Sequence, residues 1–181
     1  TGLDLPTAKS KKVERSFNNE DYPRASMAET GRLEEQERIF DSYKEEFLNT
    51  VDEELIRNTN YRLVIDYSYG AAGQFFPVIN ASLGLDVLSL NAYPNPLRAS
   101  EHLKNADPKV VQLATITTSL SADLGIMINP AAEKMIVIDE NGIEIDPQTL
   151  LLMVTDLYLR THSPRRIAVP VDASMGVERI A

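Results

Sequence analysis

Two groups of polar residues have types and spacing that could support chemistry. Ser68 to Gly73 is a turn of small residues ahead of a helical pattern, and backbone N–H groups at the start of a helix can bind an anion. The turn lacks the Gly-Lys-Ser/Thr sequence of a phosphate-binding loop, which favours the alternative interpretation of a structural turn. The second group, Asn129 to Lys134, is a tight polar loop between two apolar runs.

The histidines and several aspartates predict no further catalytic or metal centre. His102 and His162 are the two histidines of the chain and lie far apart, so a histidine metal site or catalytic triad is not expected. Asp123, Asp139 and Asp146 flank predicted strands. We interpret them as turn and helix-cap residues rather than as an acid–base pair.

Apolar periodicity places both polar groups in an α/β domain. Arg62 to Asp66 is a short β-branched run typical of a buried parallel strand. A helical pattern over 74–83 and a second run over 86–90 complete a β-α-β unit. Prolines 94 and 96 predict a loop. Further patterns predict a helix over 108–119, strands over 123–128, 135–139 and 143–145, a helix over 147–161, a strand over 167–171 and a helix beginning near 175.

Two local signals refine this prediction. Asn141-Gly142, between the predicted strands over 135–139 and 143–145, is typical of a type I′ hairpin turn. Asp146-Pro147 is a standard helix start, with the aspartate as N-cap. Together the patterns predict a three-layer α/β/α domain, with a mixed, mostly parallel sheet of four or five strands.

The first sixty residues differ from the rest of the chain. They are rich in Glu, Lys, Arg and Asn and show no strong strand pattern. Helical spacing predicts a short helix over 7–18 and an amphipathic helix over 33–50, with a further turn after Asp52. We interpret this segment as a helical arm that precedes the α/β domain.

Composition excludes several classes of protein. A net charge of −9 on 181 residues argues against nucleic-acid binding, which needs clustered Lys and Arg. The longest apolar runs, such as Leu150 to Val154, are far shorter than the ~20 residues of a membrane span. Cysteine is absent and the first thirty residues lack the apolar stretch of a signal peptide. We therefore expect a cytoplasmic protein without membrane or nucleic-acid partners.

Several blocks, in order along the chain, resemble the α-D-phosphohexomutase (phosphomannomutase/phosphoglucomutase) superfamily. Tyr61-Arg-Leu-Val-Ile-Asp-Tyr-Ser-Tyr-Gly-Ala-Ala-Gly73 is similar to its V-V-V-D-x-x-N-G-A-G. Leu90-Asn-Ala-Tyr-Pro-Asn-Pro96 with Glu101-His-Leu103 is similar to L-N-x-x-P-N-P…E-N-L. Ala122-Asp-Leu-Gly125 and the stretch that continues to Gly142 are similar to A-D-L-G-I-A-x-D-G-D-A-D-R-L-x-x-x-D-E-x-G.

The resemblance implies a division into domains. Residues 61–146 would be the second domain of such a protein, 1–60 a helical arm from the tail of the first, and 147–181 the truncated start of the third. The stretch from Val13 to Gly31 is similar to the tail of mutase-like modules fused behind a sugar-phosphate nucleotidyltransferase. This implies a parent of the bifunctional mannose-1-phosphate guanylyltransferase/phosphomannomutase type, with hexose phosphate as substrate and its missing domains as partners.

The resemblance also implies a metal site, which this chain alters. In the family three loop aspartates hold Mg²⁺ against a phosphoserine of the first domain; here those positions are Asn129, Ala131 and Glu133. Pro130 replaces a glycine, and Lys134 replaces an arginine and could keep a phosphate contact. One carboxylate in place of three predicts that Mg²⁺ is not retained. No catalytic residue is expected, because the family's nucleophile loop Thr-Ala-Ser-His-Asn-Pro and sugar loop Gly-Glu-Met-Ser-Gly-His do not occur.

Three functions remain open at this point. The first is a catalytically degenerate middle domain of a sugar-phosphate mutase or nucleotidyltransferase–mutase protein, inactive alone. The second is the metal-binding domain of an active phosphohexomutase, an intramolecular phosphotransferase. The third is a non-enzymatic oligomerisation module, a homo-oligomer that associates through the helical arm over 33–56 or through a sheet edge at 167–171.

Overall fold

The computed structural model describes residues 5–32, 38–99, 108–162 and 166–180. It divides into two compact units, residues 1–37 and 38–181. In the first unit, helix α1 (Thr7–Asn18) forms over the predicted residues and has no buried side chain. After it, the rings of Phe17 and Tyr22 stack with their centroids 6.4 Å apart.

The second unit contains all five strands and the remaining described helices. Its strands are β1 (Arg62–Asp66), β2 (Asp86–Leu90), β3 (Leu124–Ile128), β4 (Met135–Ile138) and β5 (Glu144–Ile145). Its helices are α2 (Ile39–Leu48), α3 (Glu53–Arg57), α4 (Phe76–Ser82), α5 (Pro96–Ala99), α6 (Pro108–Ser119), α7 (Pro147–Thr161) and α8 (Gly176–Ile180). A short 3₁₀ turn, Ala71–Gln74, precedes α4.

The strands form one mixed sheet in the order β2-β1-β3-β4-β5. β1 pairs in parallel with both β2 and β3, whereas β4 pairs antiparallel with β3 and β5. The parallel pairs follow from the helical crossovers and the antiparallel edge from the short connections after β3 and β4. The predicted mixed sheet of four or five strands is confirmed.

Alternate side chains of β1 enter two cores, one on each face of the sheet. Val64 is fully buried with Leu113 of α6 and with Met127 and Ile138 of the neighbouring strands. Ile65 points to the opposite face and packs near Tyr67, Ala72 and Phe76, on the side of the 3₁₀ turn and α4. Helices on both faces give the predicted three layers.

Three local predictions were wrong. The strand predicted over 167–171 does not form, and Pro170 within it offers no N–H for a bond to a neighbouring strand. The loop predicted at Pro94 and Pro96 was wrong in extent, since residues 91–95 are irregular as predicted but the single helical turn α5 begins at Pro96. The β4–β5 turn is not type I′: Gly142 alone has a positive φ, 79°, among the residues of this turn. The Asp139 carboxylate instead accepts hydrogen bonds from the N–H groups of Asn141 and Ile143, which favours a three-residue loop.

Helix α2 packs against the α/β body rather than extending from it. The Tyr43 ring meets the Phe75 ring edge-on at 5.1 Å, and the Phe47 ring meets Phe76 at 5.7 Å. Phe40 stacks on Phe75 at 6.0 Å. These contacts cover part of the apolar face that the sequence predicts for α2, and they place α2 in the same compact unit as the sheet.

Candidate functional site

The carboxyl ends of the three parallel strands meet in one place, where open α/β sheets commonly bind ligands. The loops after β1 and β2 are bonded to each other: the Tyr69 N–H donates to the Asn91 carbonyl, and the Asn95 N–H donates to the Tyr69 carbonyl, each at 3.0 Å. The loop after β3 lies against the first loop, because a Cβ on Gly70 would fall 2.5 Å from the Pro130 Cα. Three loops therefore occupy this end of the sheet together.

Asp66, which the sequence analysis did not single out, anchors two of these loops. It lies at the end of β1 and is 5% exposed. Its Oδ1 accepts from the Ser68 N–H at 2.7 Å and its Oδ2 from the Asn91 side-chain amide at 2.9 Å. Both carboxylate oxygens of Asp66 thus accept hydrogen bonds from groups of the protein itself. The signal in the sequence was an acidic residue directly after an apolar run.

Hydrogen bonds within the protein hold most of the turn from Ser68 to Gly73, which supports its interpretation as a structural turn. The N–H groups of residues 68, 69, 70 and 73 all donate within the protein. Ser68 and Tyr69 both have positive φ values, 48° and 57°, so the backbone curls back on itself here. Because these N–H groups are engaged internally, they do not form a cradle for an anion.

Arg98 is a second residue that the sequence analysis missed. Its Nη1 donates to the Tyr69 hydroxyl at 2.7 Å, and its guanidinium carbon lies 5.2 Å from the centre of that ring. A cation over an aromatic face is stabilising. The arrangement fixes a positive charge beside the loop after β1, but the structure gives it no contact with Asn129 or Glu133.

The loop between β3 and β4 closes on its own first residue. The half-buried Asn129 accepts with its Oδ1 from the N–H of Glu133 at 2.8 Å and from the N–H of Lys134 at 2.9 Å. The Asn129 backbone N–H donates to the Lys134 carbonyl, and its carbonyl accepts from the Ala132 N–H. Ala132 has a φ of 58°, which allows the reversal. Ala131, Glu133 and Lys134 are exposed.

The aspartates that flank strands serve as caps and turn anchors. Asp123 accepts from the Arg62 N–H at 2.7 Å. The Asp139 pKa is lowered, first by the hydrogen bond from the Ile143 N–H. Asp146 caps α7, and its pKa is lowered chiefly by the hydrogen bond from the Thr149 hydroxyl. The interpretation of these residues as cap and turn residues is consistent with every one of these contacts.

The contacts of His162 lie at the C-terminal end of α7. His162 ends α7, where its ring stacks on Tyr158 with centroids 4.5 Å apart and its Nδ1 lies 2.8 Å from the Thr161 hydroxyl. His102 lies outside the described residues. Within residues 5–32, 38–99, 108–162 and 166–180, no three His, Cys, Asp or Glu residues are grouped as metal ligands would be.

Comparison with known proteins assigns the fold to a family. Residues 41–142 match the sequence model of the phosphoglucomutase/phosphomannomutase alpha/beta/alpha domain II, which covers more than half of the chain. The chain belongs to the phosphoglucomutase/phosphomannomutase family. The predicted relationship to this superfamily, and to its middle domain, is confirmed.

Individual relatives extend the similarity over almost the whole chain. The phosphoglucomutase/phosphomannomutase of Thermococcus kodakarensis is 29% identical over 180 residues, which are 99% of this chain and 39% of that protein. The phosphoglucosamine mutase of Zymomonas mobilis is 30% identical over 183 residues, covering 98% and 40%. The chain therefore spans about two-fifths of the length of these curated relatives.

A solved structure shows the same fold. A phosphoglucomutase/phosphomannomutase family protein from Burkholderia thailandensis superposes with a TM-score of 0.65 at 17% identity. The superposition covers 87% of this chain and 33% of that one.

In the described ranges of the chain, no helix is long and apolar enough to span a bilayer.

The residues at the ligand positions that the resemblance predicts do not fit Mg²⁺. This ion prefers hard oxygen ligands, chiefly carboxylates, in a near-octahedral arrangement. Asn129 offers a neutral oxygen that already accepts two backbone hydrogen bonds, and an amide oxygen has two lone pairs. Ala131 offers no side-chain ligand atom, which leaves the exposed Glu133 as the one carboxylate of the three positions.

Proposed function

We propose that this chain is the middle-domain part of a phosphoglucomutase/phosphomannomutase-type protein of sugar-phosphate metabolism, and that its metal loop is degenerate. The family relationship supports the first half of this proposal. The observation that carries the second half is the set of residue types at the three predicted ligand positions, where Asn129 and Ala131 have no carboxylate and Glu133 has one. In this proposal the chain alone catalyses no phosphoryl transfer.

The substrate class of the parent follows from the named relatives. These proteins are called phosphoglucomutase/phosphomannomutase and phosphoglucosamine mutase. We therefore extend the proposal to hexose phosphates and amino-hexose phosphates as what the parent binds. Lys134 would be the residue of this chain nearest to such a phosphate, because it replaces the arginine that follows the family's metal loop.

The proposal includes a fusion of the parent to a sugar-phosphate nucleotidyltransferase. It rests on the similarity of residues 13–31 to the tail of such fused modules. The mutase relatives align with 98–99% of this chain, so this tail also lies within alignments to mutases. We keep a cytoplasmic location as part of the proposal, on the ground that cysteine is absent.

The division into domains stays a prediction, and one feature of α7 supports it. This helix carries apolar residues around most of its circumference, and Val154 and Leu157 are 56% and 60% exposed. A helix that is apolar on all sides is typical of a buried position in a larger protein. We propose that residues 147–181 begin a third domain, whose further elements cover this surface.

The alternative is the metal-binding domain of an active phosphohexomutase. Glu133 favours it, since its exposed carboxylate sits at a family ligand position. The two proposals differ in the nucleophilic serine loop of the first domain, which the parent sequence either contains or lacks. A self-association module is the other alternative, and sedimentation that shows a monomer at high concentration would exclude it.

The test is a calorimetric titration of the chain with Mg²⁺ and with Mn²⁺, with and without mannose 1-phosphate. The proposal expects no saturable binding heat. Saturable micromolar binding would overturn the degenerate-loop proposal and favour the active mutase. Mannose 1-phosphate and glucosamine 1-phosphate, titrated without metal, test the Lys134 contact, and Lys134→Ala is the variant that must abolish any heat seen.

A combined variant tests the assignment of the loop positions. Asn129→Asp, Ala131→Asp and Glu133→Asp together restore three carboxylates and should bind Mg²⁺ more tightly than the wild type. The control carries Asn60→Asp and Gln112→Glu, which add the same two charges elsewhere on the exposed surface. Equal Mg²⁺ binding by both variants would count against the assignment of these positions.

A further inference from the structure

The β3–β4 loop has the contacts of a self-supporting element. Two backbone hydrogen bonds join its ends, from the Asn129 N–H to the Lys134 carbonyl and from the Ala132 N–H to the Asn129 carbonyl. The Asn129 side chain adds two more, from the N–H groups of Glu133 and Lys134. One carboxamide oxygen therefore satisfies two N–H groups that would otherwise point into an open polar loop.

The loop also bears directly on the turn after β1. Gly70 packs so closely that a Cβ there would lie 2.5 Å from both the Cα and the carbonyl oxygen of Pro130. These are backbone atoms of the loop, so they cannot move aside without shifting the loop. The same turn holds Ser68 and Tyr69 at positive φ, a conformation that costs free energy and needs support from its surroundings.

We infer that the Asn129 carboxamide organises this loop, and that the loop is a metal-independent brace for the turn after β1. Asn129 is a positioning residue in this role, since it acts through the backbone of Glu133 and Lys134. Pro130 transmits the fixed loop conformation to Gly70. The inference stands on these contacts and does not depend on the activity of the parent protein.

The amide hydrogens of Glu133 and Lys134 report the brace directly. Both residues are exposed, and an exposed loop amide without an acceptor exchanges quickly with solvent. With the Asn129 oxygen as acceptor, we expect both amides to be protected in the wild-type chain, by about tenfold or more relative to the unfolded rate. Added Mg²⁺ or EDTA should leave this protection unchanged.

Variants at Asn129 separate the carboxamide from other sources of protection. Asn129→Ala should remove the protection of both amides and lower the midpoint of thermal unfolding. Asn129→Asp should keep both, because a carboxylate oxygen accepts the same two bonds. Asn60→Ala, at an exposed position outside the loop, is the matched control and should change neither measurement.

Three results would overturn the inference. Unprotected amides at 133 and 134 in the wild type would show that the loop is open. Unchanged protection in Asn129→Ala would show that the carboxamide is not the organiser. Protection that rises on addition of Mg²⁺ would assign the role to the metal. If Asn129→Ala does not fold, amide hydrogen exchange at residues 133 and 134 in the wild type and in Asn129→Asp still tests the inference. Unprotected amides with no Mg²⁺ binding heat would refute the brace and leave the degenerate-loop proposal standing.

Discussion

Replacing Gly70 with alanine tests the close approach between the first turn and the β3–β4 loop. The glycine has φ −88° and ψ 178°, an extended conformation that any residue adopts, so the cost is steric alone. The added Cβ would lie 2.5 Å from two backbone atoms of Pro130. Forcing a methyl group into such a contact costs about 1–3 kcal/mol, while alanine regains roughly 0.4–1 kcal/mol by restricting the unfolded chain.

We therefore expect Gly70→Ala to destabilise the α/β unit by about 1–2 kcal/mol. For a unit of this size that corresponds to a fall of roughly 2–8 °C in the unfolding midpoint. Circular dichroism with thermal and urea unfolding measures both quantities. Gly31→Ala is the matched control, since nothing lies within 4 Å of the Cβ that it would add.

An unchanged or raised midpoint in Gly70→Ala would refute the reasoning, because it would mean that the two loops are not in contact. A fall of similar size in Gly31→Ala would also refute it, since the loss would then reflect the exchange of glycine for alanine in general. If both variants lose the same stability, the loss in Gly70→Ala gives no support to a contact between the two loops.

Two further predictions concern the helices of the α/β unit. Phe75→Ala removes the ring that contacts both Phe40 and Tyr43. It should destabilise the unit by about 2 kcal/mol, roughly half the cost of removing a fully buried phenylalanine. Phe17→Ala is the control, and equal urea midpoints for the two variants would contradict the packing of α2. The hydrogen bond from the Thr149 hydroxyl lowers the pKa of Asp146 in the folded protein. The stability that this carboxylate contributes is therefore present above its unfolded pKa of about 3.9. It is lost as the pH falls through the lower pKa of the folded state. The stability difference between wild type and Asp146→Ala should therefore narrow below about pH 4, and a difference independent of pH would exclude a charged cap.

Much of the fold could be predicted because its determinants are local. The run 62–66 carries its own β-branched pattern, and Asp146-Pro147 carries its own helix start, which the structure confirms. The strand predicted at 167–171 does not form, because a strand depends on a non-local partner. A strand exists through its partner, and an apolar run by itself does not specify one.

The candidate site divides in the same way. The sequence by itself determined the family blocks, because residue types at fixed spacing need no coordinates, and from them it predicts that Asn129, Ala131 and Glu133 replace the loop aspartates. The tertiary structure alone decided where the Asn129 oxygen points and that Pro130 lies against Gly70. Sixty positions separate these two residues, and their contact depends on the register between β1 and β3. Register is fixed by side chains packing across the whole sheet, which no local pattern contains.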